Sequence, residues 1–534
     1  MSVAERRLLA REATVSAVVA AVLAGVLVWA GPPGVDLAAH AYQRTFLLQH
    51  GFTVWNNFWY AGRYSFVTYS LLYYPLAAYL GIKVLAVATV SAAALAFTLV
   101  VWREWGPAAR FSSRTFAVLW AGVVLSAAFP FALGAALALL ALSALQQERR
   151  RLFAALTFLT LLASPLAFLF MVVVLAGGVL VQRPRRATVA VIAAAGALEL
   201  VLRRLFPGEG QFPFHLTDLW PGVLFGVFGI AATWGEPRAR RLLGLFVAFL
   251  LTSLIAFVVP SDLGGNVERL KFAAIPLALL VVAAVPRRVV LVLPLVFVAG
   301  FWNLTALAHT ASTAGSDPAR SAAYWQGTIR YLHSHLSPSF RVEAVDTSEH
   351  WAAAYLPDAG IPIVRGWYRQ NDFPQNAILY DPHITGTAYR AWLRSLGVRY
   401  VVLSDAPPDY SSRLERKLIL SGRSGLRLVW RDAHVRIFEL PHASPIVTGR
   451  ADGTVEWMTP TRLVLFVQRP GVYDVKVRWS PYWRASEGCV ARASGGNVVM
   501  RTFHSGFVTL SFDVGVRSGL ETLTGLAPTR ACTS

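Results

Sequence analysis

The chain has 534 residues, 55% of them hydrophobic and only 15% charged, against about 25% charged in an ordinary soluble domain. That balance, with a mean hydropathy of +0.51, excludes a wholly soluble, a disordered or a collagen-like chain. The net charge of +20 splits as +13 over residues 1–307 and +7 over residues 308–534, nearly all of it Arg; no basic stripe with interleaved aromatics gives it to a nucleic acid.

Apolar runs punctuated by charge fill residues 1–307, at 14–30, 76–102, 115–129, 131–145, 152–164, 165–181, 187–202, 220–234, 242–259, 271–285 and 289–306. Several fall short of the roughly 20 residues a spanning helix needs. The pairs around Pro130 and Pro165 read either as tight hairpins or as one irregular element each. The expectation is a polytopic transmembrane domain of about eleven spans, followed by soluble modules. One set of loops is rich in Arg: Arg6, Arg7 and Arg11; Arg103, Arg110 and Arg114; Arg149 to Arg151; Arg183, Arg185 and Arg186; Arg238, Arg240 and Arg241; Arg287 and Arg288. The alternate loops are poor in base, and the positive-inside rule then puts the N-terminus in the cytoplasm. An odd number of spans puts the C-terminal region outside. The 14–30 run reads as an uncleaved first helix rather than a signal peptide, because Pro32 and Pro33 block cleavage near Ala30.

The long first outer loop, residues 31–75, is too rich in Trp, Tyr and Asn to face lipid throughout. Asp36 and His40 stand four apart just after the first span, on one face if the segment is helical. A carboxylate there could deprotonate a hydroxyl or hold a divalent cation, with His40 in support. The plainer alternatives are a helix N-cap for Asp36 and a buried interfacial histidine for His40. Next come Trp55, Asn56, Asn57, Trp59, Tyr60, Gly62, Arg63 and Tyr64. Aromatic faces suit sugar rings, while Asn and Arg hydrogen-bond hydroxyls or a phosphate; an aromatic belt at the membrane interface is the competing account.

Further along, Arg203 and Arg204, and Arg269 and Lys271 beside Asn266 and Glu268, sit at outward helix ends where positive-inside statistics disfavour base. A lipid-linked phosphate would explain them, since guanidinium forks match phosphate oxygens; snorkelling to headgroups is the alternative. Glu199 lies one turn from Arg203 and reads as its ion-pair partner.

From about residue 310 the apolar runs shorten. Helical spacing at 319–336 and 388–396, with strand-like runs at 341–345, 361–364 and 400–403, predicts an α/β module over 315–441. Alternating runs at 462–467, 473–479, 488–492, 497–503 and 507–513 predict a β-sandwich over 442–534. Within the α/β module, His350-Trp351 and the run from Gly366 to Asp372, with Trp367 and Arg369, form a polar-aromatic cluster that lines a saccharide groove or packs the modules together. Cys489 and Cys532 are the only cysteines; they read as a disulfide in an oxidising exterior, or as two buried thiols. No Walker loop, nucleophile elbow or HExxH helix is present.

Many spans, a long first outer loop with an acid after the first helix, and a soluble C-terminal region together resemble the type C (GT-C-like) integral membrane glycosyltransferase superfamily. On Asp36, His40, Trp55-Asn56-Asn57, Gly62 and the exterior run GWYRQND, the chain more closely resembles bacterial multi-pass proteins labelled as a 6-pyruvoyl-tetrahydropterin synthase-related membrane domain, although no residue supports pterin chemistry. The resemblance implies inverting transfer of a sugar from a polyprenyl-phosphate carrier to a cell-envelope glycan, lipid or protein outside the plasma membrane. Asp36 maps onto the loop acid proposed as general base and sometimes as ligand to a divalent cation, Mg or Mn. Many members carry a second adjacent acid, whereas Leu37 follows here. Two other functions compete. A lipid or glycan transporter or flippase needs polar residues along a path, and the spans offer little beyond Lys83 and Glu199. An inert envelope scaffold that binds glycans would need only the exterior modules.

Overall fold

The computed structural model describes residues 2–179, 185–208, 210–449, 453–525 and 532; Arg183 and the end of the 165–181 run lie outside them. The chain forms two compact units. The first comprises Met1–Val35, Tyr69–Leu200 and Gly210–Ala314; the second comprises Asp36–Thr68, Val201–Glu209 and Gly315–Ser534.

The first unit is helical. Among the described residues, six helical stretches are long and apolar enough to cross a membrane: Val3–Trp29, Ile82–Ser126, Phe129–Gln146, Leu216–Thr233, Pro237–Val258 and Val289–Thr313. The difference from eleven apolar runs has a simple origin. The 115–129 run continues the Ile82–Ser126 stretch, and others form helices too short to span, such as Arg150–Ala163 with 14 residues and Ala274–Ala284 with 11. Small residues set the packing. Ala20, Ala24, Ala93, Ala94 and Ala117 are wholly buried. Gly177 and Gly244 bring two backbones together so closely that a Cβ on Gly244 would lie 2.0 Å from the Gly177 carbonyl oxygen, the small-residue contact that lets apolar helices associate. Glu12 is the main buried charge of the first helix, and Arg110 and Arg114 hold it at 2.9 and 3.0 Å.

The second unit begins with the loop. Leu37–His50 is a helix with Ala38, Ala39, Tyr42 and Phe46 buried along one side, and it packs on the short helix Ala352–Asp358, where Ala352, Ala353 and Ala354 allow close approach. Trp55–Asn56 and Arg63–Tyr64 pair as an antiparallel ribbon. Trp55 stacks on Phe512 at 4.6 Å and meets Trp483 edge-on at 5.6 Å, so the loop shares the apolar core of the C-terminal strands. That burial is why Asp36–Thr68 folds with the C-terminal region and not with the helices that flank it in sequence.

Residues 341–439 build a four-stranded mixed sheet in the order Arg341–Ala344, Val398–Ser404, Val435–Glu439, Arg427–Arg431; the first two strands are parallel and the rest antiparallel. The strand expected at 361–364 is reduced to a single bridge between Ile363 and Val342. Pro362 has no amide to donate, and the Ile363 amide goes to the Phe58 carbonyl of the loop. Downstream, two four-stranded antiparallel sheets run Cys489–Arg492, Asn497–Thr502, Gly471–Arg478, Val447–Gly449 and Trp483–Ala485, Gly506–Phe512, Arg462–Val467, Gly453–Met458. Inward Val, Leu and Tyr from both sheets fill one core. A disulfide joins Cys489 and Cys532, with Cα atoms 5.0 Å apart.

Candidate functional site

Asp36 opens the Leu37–His50 helix, but its side chain makes no cap hydrogen bond to it. Its Oδ1 instead accepts a 2.6 Å hydrogen bond from the indole N–H of Trp367, 331 positions away. The Nε2 of His350 stands 3.9 Å from the same oxygen, and the carboxylate keeps 23% of its side chain exposed. His40 is fully buried and sets its ring against the Trp367 indole edge-on at 5.4 Å. The sequence spacing of Asp36 and His40 thus converges on one indole, which the histidine supports and the carboxylate uses.

The imidazole of His350 is itself held. Its Nδ1 lies 2.7 Å from Asp346 Oδ2, and its backbone takes the left-handed φ of 61°, a conformation a non-glycine residue rarely adopts without tertiary support. Asp346 follows the strand Arg341–Ala344 and Asp409 follows the parallel strand Val398–Ser404, so both lie beyond the carboxyl ends of neighbouring strands, where open α/β sheets place their ligand sites. A bridge between Thr347 and Pro408 ties the two loops together. Arg369 lies between the acids: it donates from Nε to Asp409 at 3.0 Å, from Nη1 to the Gly366 carbonyl at 2.9 Å, and from Nη2 to Asp346. Burial alone would raise the Asp409 carboxyl, but Arg369 and His350 more than offset it and hold it below the usual range.

Asp346, His350 and Asp409 offer ligand atoms within 4.8 Å of one another. Their chemistry does not fit a resident cation, because the permanent charge of Arg369 already takes both carboxylates. Asp36 accepts from the Trp367 indole and lies 3.9 Å from the His350 imidazole.

A second cluster, which includes Glu343 of the Arg341–Ala344 strand, is closed to solvent. Arg365 binds Asp372 through Nη2 at 2.9 Å and Nε at 3.3 Å, and lies 3.9 Å from Glu343 and 3.8 Å from Glu415. Burial and the neighbouring Glu415 push Glu343 well above the carboxylate range. Asp372 stays below it: burial acts upward, but Arg365 and Arg369 outweigh that effect.

The remaining predicted residues are placed as follows. Asn57 accepts from Trp55 Nε1 at 2.8 Å and donates to the Thr459 carbonyl at 2.9 Å. Asn56 donates to Tyr42 Oη at 2.9 Å and accepts from the Phe58 amide. Trp59 is fully buried and donates to the Ala353 carbonyl. These three spend their polar groups inside the unit. The Arg63 guanidinium lies over the Tyr368 ring, 3.6 Å from its centre. Arg269 and Lys271 belong to the first unit, on the 3₁₀ segment Gly264–Ala273. Beside them, the carboxylate of buried Glu268 presses on Gly222, where a Cβ would come within 2.2 Å of it. Asp346, Asp409 and Arg365 escaped the sequence reading; they sit in no local motif, and only their position after buried strands could have flagged them.

No family model and no curated protein matches the chain. Among solved structures, the cryo-EM structure of the arabinofuranosyltransferase AftD from Mycobacteria is similar, with 20% identity and a TM-score of 0.47 over 82% of this chain and 40% of that one. Two classes of a mutant of the same protein are similar at 17% and 18% identity, with TM-scores of 0.44 and 0.41, over 97% and 96% of this chain and 42% of theirs. The chain spans about two fifths of the length of these structures.

Proposed function

We propose that the chain is a multi-pass membrane glycosyltransferase of GT-C-like architecture. It moves a sugar, with inversion, from a polyprenyl-phosphate carrier to an acceptor hydroxyl of the cell envelope. The N-terminus is cytoplasmic and the second unit lies outside the plasma membrane, as the Arg-rich loops imply. The observation that supports the reading is the placement of Asp36: its carboxylate makes no cap hydrogen bond to the helix it opens, accepts from the Trp367 indole and lies 3.9 Å from the His350 imidazole, with part of its side chain exposed.

A hydroxyl oxygen about 2.8 Å from both Asp36 Oδ1 and His350 Nε2 is within hydrogen-bond range of each. Asp36 takes its proton as the oxygen bonds to the anomeric carbon. The carbon–oxygen bond to the carrier phosphate breaks, and its electron pair leaves on the phosphate. That anion needs no acid, only positive charge. Asp346 fixes the His350 ring through Nδ1, while His40 braces Trp367, so both are positioning residues. No step is routed through a divalent cation, since Arg369 supplies the positive charge between Asp346 and Asp409.

The test is Asp36→Asn in membranes supplied with radiolabelled polyprenyl-phosphate monosaccharides. Loss of transfer with retained protein supports the assignment; undiminished transfer removes Asp36 as the base.

A further inference from the structure

The second unit contains a cleft of about 170 Å³ that Asp36 does not line. Small against the roughly 300–1,000 Å³ of a drug-sized site, it has room for a single sugar residue rather than an oligosaccharide. Its walls carry three guanidinium groups, Arg63, Arg478 and Arg492, with no Asp or Glu among the described lining residues. Trp479, half-buried, adds a flat apolar face, and Asn371 adds an amide.

The cationic wall is built into the fold. Arg63 is 7% exposed; its Nη2 reaches Thr68 Oγ1 at 3.3 Å, while its Nε and Nη1 are buried with no hydrogen-bond partner among the described residues. Leaving donors of a charged group unmet is costly; the face of Tyr368 attracts the charge, but it accepts no hydrogen bond from Nε or Nη1. Arg478 is fixed by a tight turn: its Nε donates to the Tyr60 carbonyl at 2.8 Å, and its backbone amide to the Ala61 carbonyl at 3.0 Å. That turn holds Tyr60 and Ala61 at left-handed φ values of 57° and 55°, a strain that persists only where surrounding structure over-determines it. Its Nη2 also reaches the Asn371 carbonyl at 3.3 Å. Arg492 completes the wall from an exposed position.

We infer that this cleft binds a saccharide residue bearing an oxyanion, a phosphate or a carboxylate. Guanidinium forks take the oxyanion bidentately, and the Trp479 indole takes the ring. The site stands on Arg63, Arg478 and Arg492 alone, so it holds whether or not Asp36 performs transfer, and Asp36→Asn leaves its binding unchanged.

The experiment is calorimetric titration of the full-length protein in detergent with glucose 6-phosphate, glucuronate, methyl glucoside and inorganic phosphate. The charged sugars should bind with an affinity that falls as salt rises, and methyl glucoside should not. Whichever of glucose 6-phosphate and glucuronate binds more tightly identifies the oxyanion. Arg492→Glu, at an exposed position that leaves the fold intact, should weaken both by at least about tenfold, the loss expected for one charge-assisted contact; Arg63→Gln should weaken them further. The inference is overturned if neither charged sugar binds, if methyl glucoside binds as well as they do, if inorganic phosphate alone matches them, or if Arg492→Glu changes nothing.

Discussion

Two groups of ionisable side chains in the second unit are alike in composition and opposite in condition. Around Arg365, the carboxyls of Asp372, Glu343 and Glu415 are wholly buried and turned on its guanidinium, with Arg369 also 3.8 Å from Asp372. At the start of the Leu37–His50 helix, Asp36 keeps part of its surface, accepts from the Trp367 indole and lies 3.9 Å from the His350 imidazole. A carboxylate saturated by a buried cation is committed to the fold, because any approach by a substrate would first have to break that pair. A partly exposed carboxylate beside an imidazole can be reached by a substrate hydroxyl and take its proton. Partner type and exposure separate the two where residue identity does not.

The sharpest way to break this comparison is to neutralise one acid from each group. Asp36→Asn should lower transfer by about 10²–10⁴-fold, the range for loss of a positioned general base, with the thermal midpoint unmoved. Asp372→Ala should do the reverse. It strips Arg365 of its closest partner and leaves a buried guanidinium facing two carboxyls of raised proton affinity, at a cost of about 3–5 kcal/mol in stability, read as a large drop in the melting temperature. If Asp372→Ala melts like the unaltered protein while losing transfer, the division between the groups is wrong.

Much of this arrangement could be read from the sequence, up to a physical limit. The runs at 462–467, 497–503 and 507–513 alternate because one face of each strand is buried, and they emerge as Arg462–Val467, Asn497–Thr502 and Gly506–Phe512. The strands Arg427–Arg431 and Gly453–Met458 went unread; the first is exposed on both faces, and the second sets charged Glu456 among apolar residues. Asp36, His350 and Trp367 each stood out locally. Their meeting did not, because a hydrogen bond spanning 331 positions leaves no trace in spacing. Asn56 and Asn57 looked like sugar ligands for the same reason: residue type advertises hydrogen-bonding capacity, while only the fold reveals that Tyr42, Phe58 and Thr459 already use it.

A milder perturbation sharpens the picture of Asp36 itself. Trp367→Phe keeps an aromatic ring for His40 to brace but removes the 2.6 Å N–H donor. Losing one hydrogen bond to a charged group costs roughly 1.5–3 kcal/mol, only part of which falls on the barrier. We expect a fall in kcat of about tenfold, with KM nearly unchanged, because the indole positions the base and is assigned no contact with substrate. A rise in KM at constant kcat would instead make Trp367 a substrate-binding residue.

The smallest effect probes the closed cluster from within. Burial first, and Glu415 second, raise Glu343 well above its ordinary range, so the folded protein holds a proton there that the unfolded chain releases near pH 4.3, the usual value of about 4.3 for glutamate. Stability from this site is therefore full below that pH and is lost as pH rises toward the folded value. Asp372 and Asp409 carry the opposite sign: their carboxyls are held low, and their contribution is lost only in acid. Between mildly acid and alkaline pH the two depressed acids are silent, and Glu343 contributes a falling slope. Glu343→Gln mimics the protonated form, keeps the side-chain volume and offers an amide N–H to Glu415. Its melting temperature should gain on that of the unaltered protein steadily as pH rises from about 6 to about 9, because only the unaltered protein carries the falling slope. Parallel curves across that range would mean that Glu343 is already ionised in the fold, its charge carried by Arg365 alongside that of Asp372.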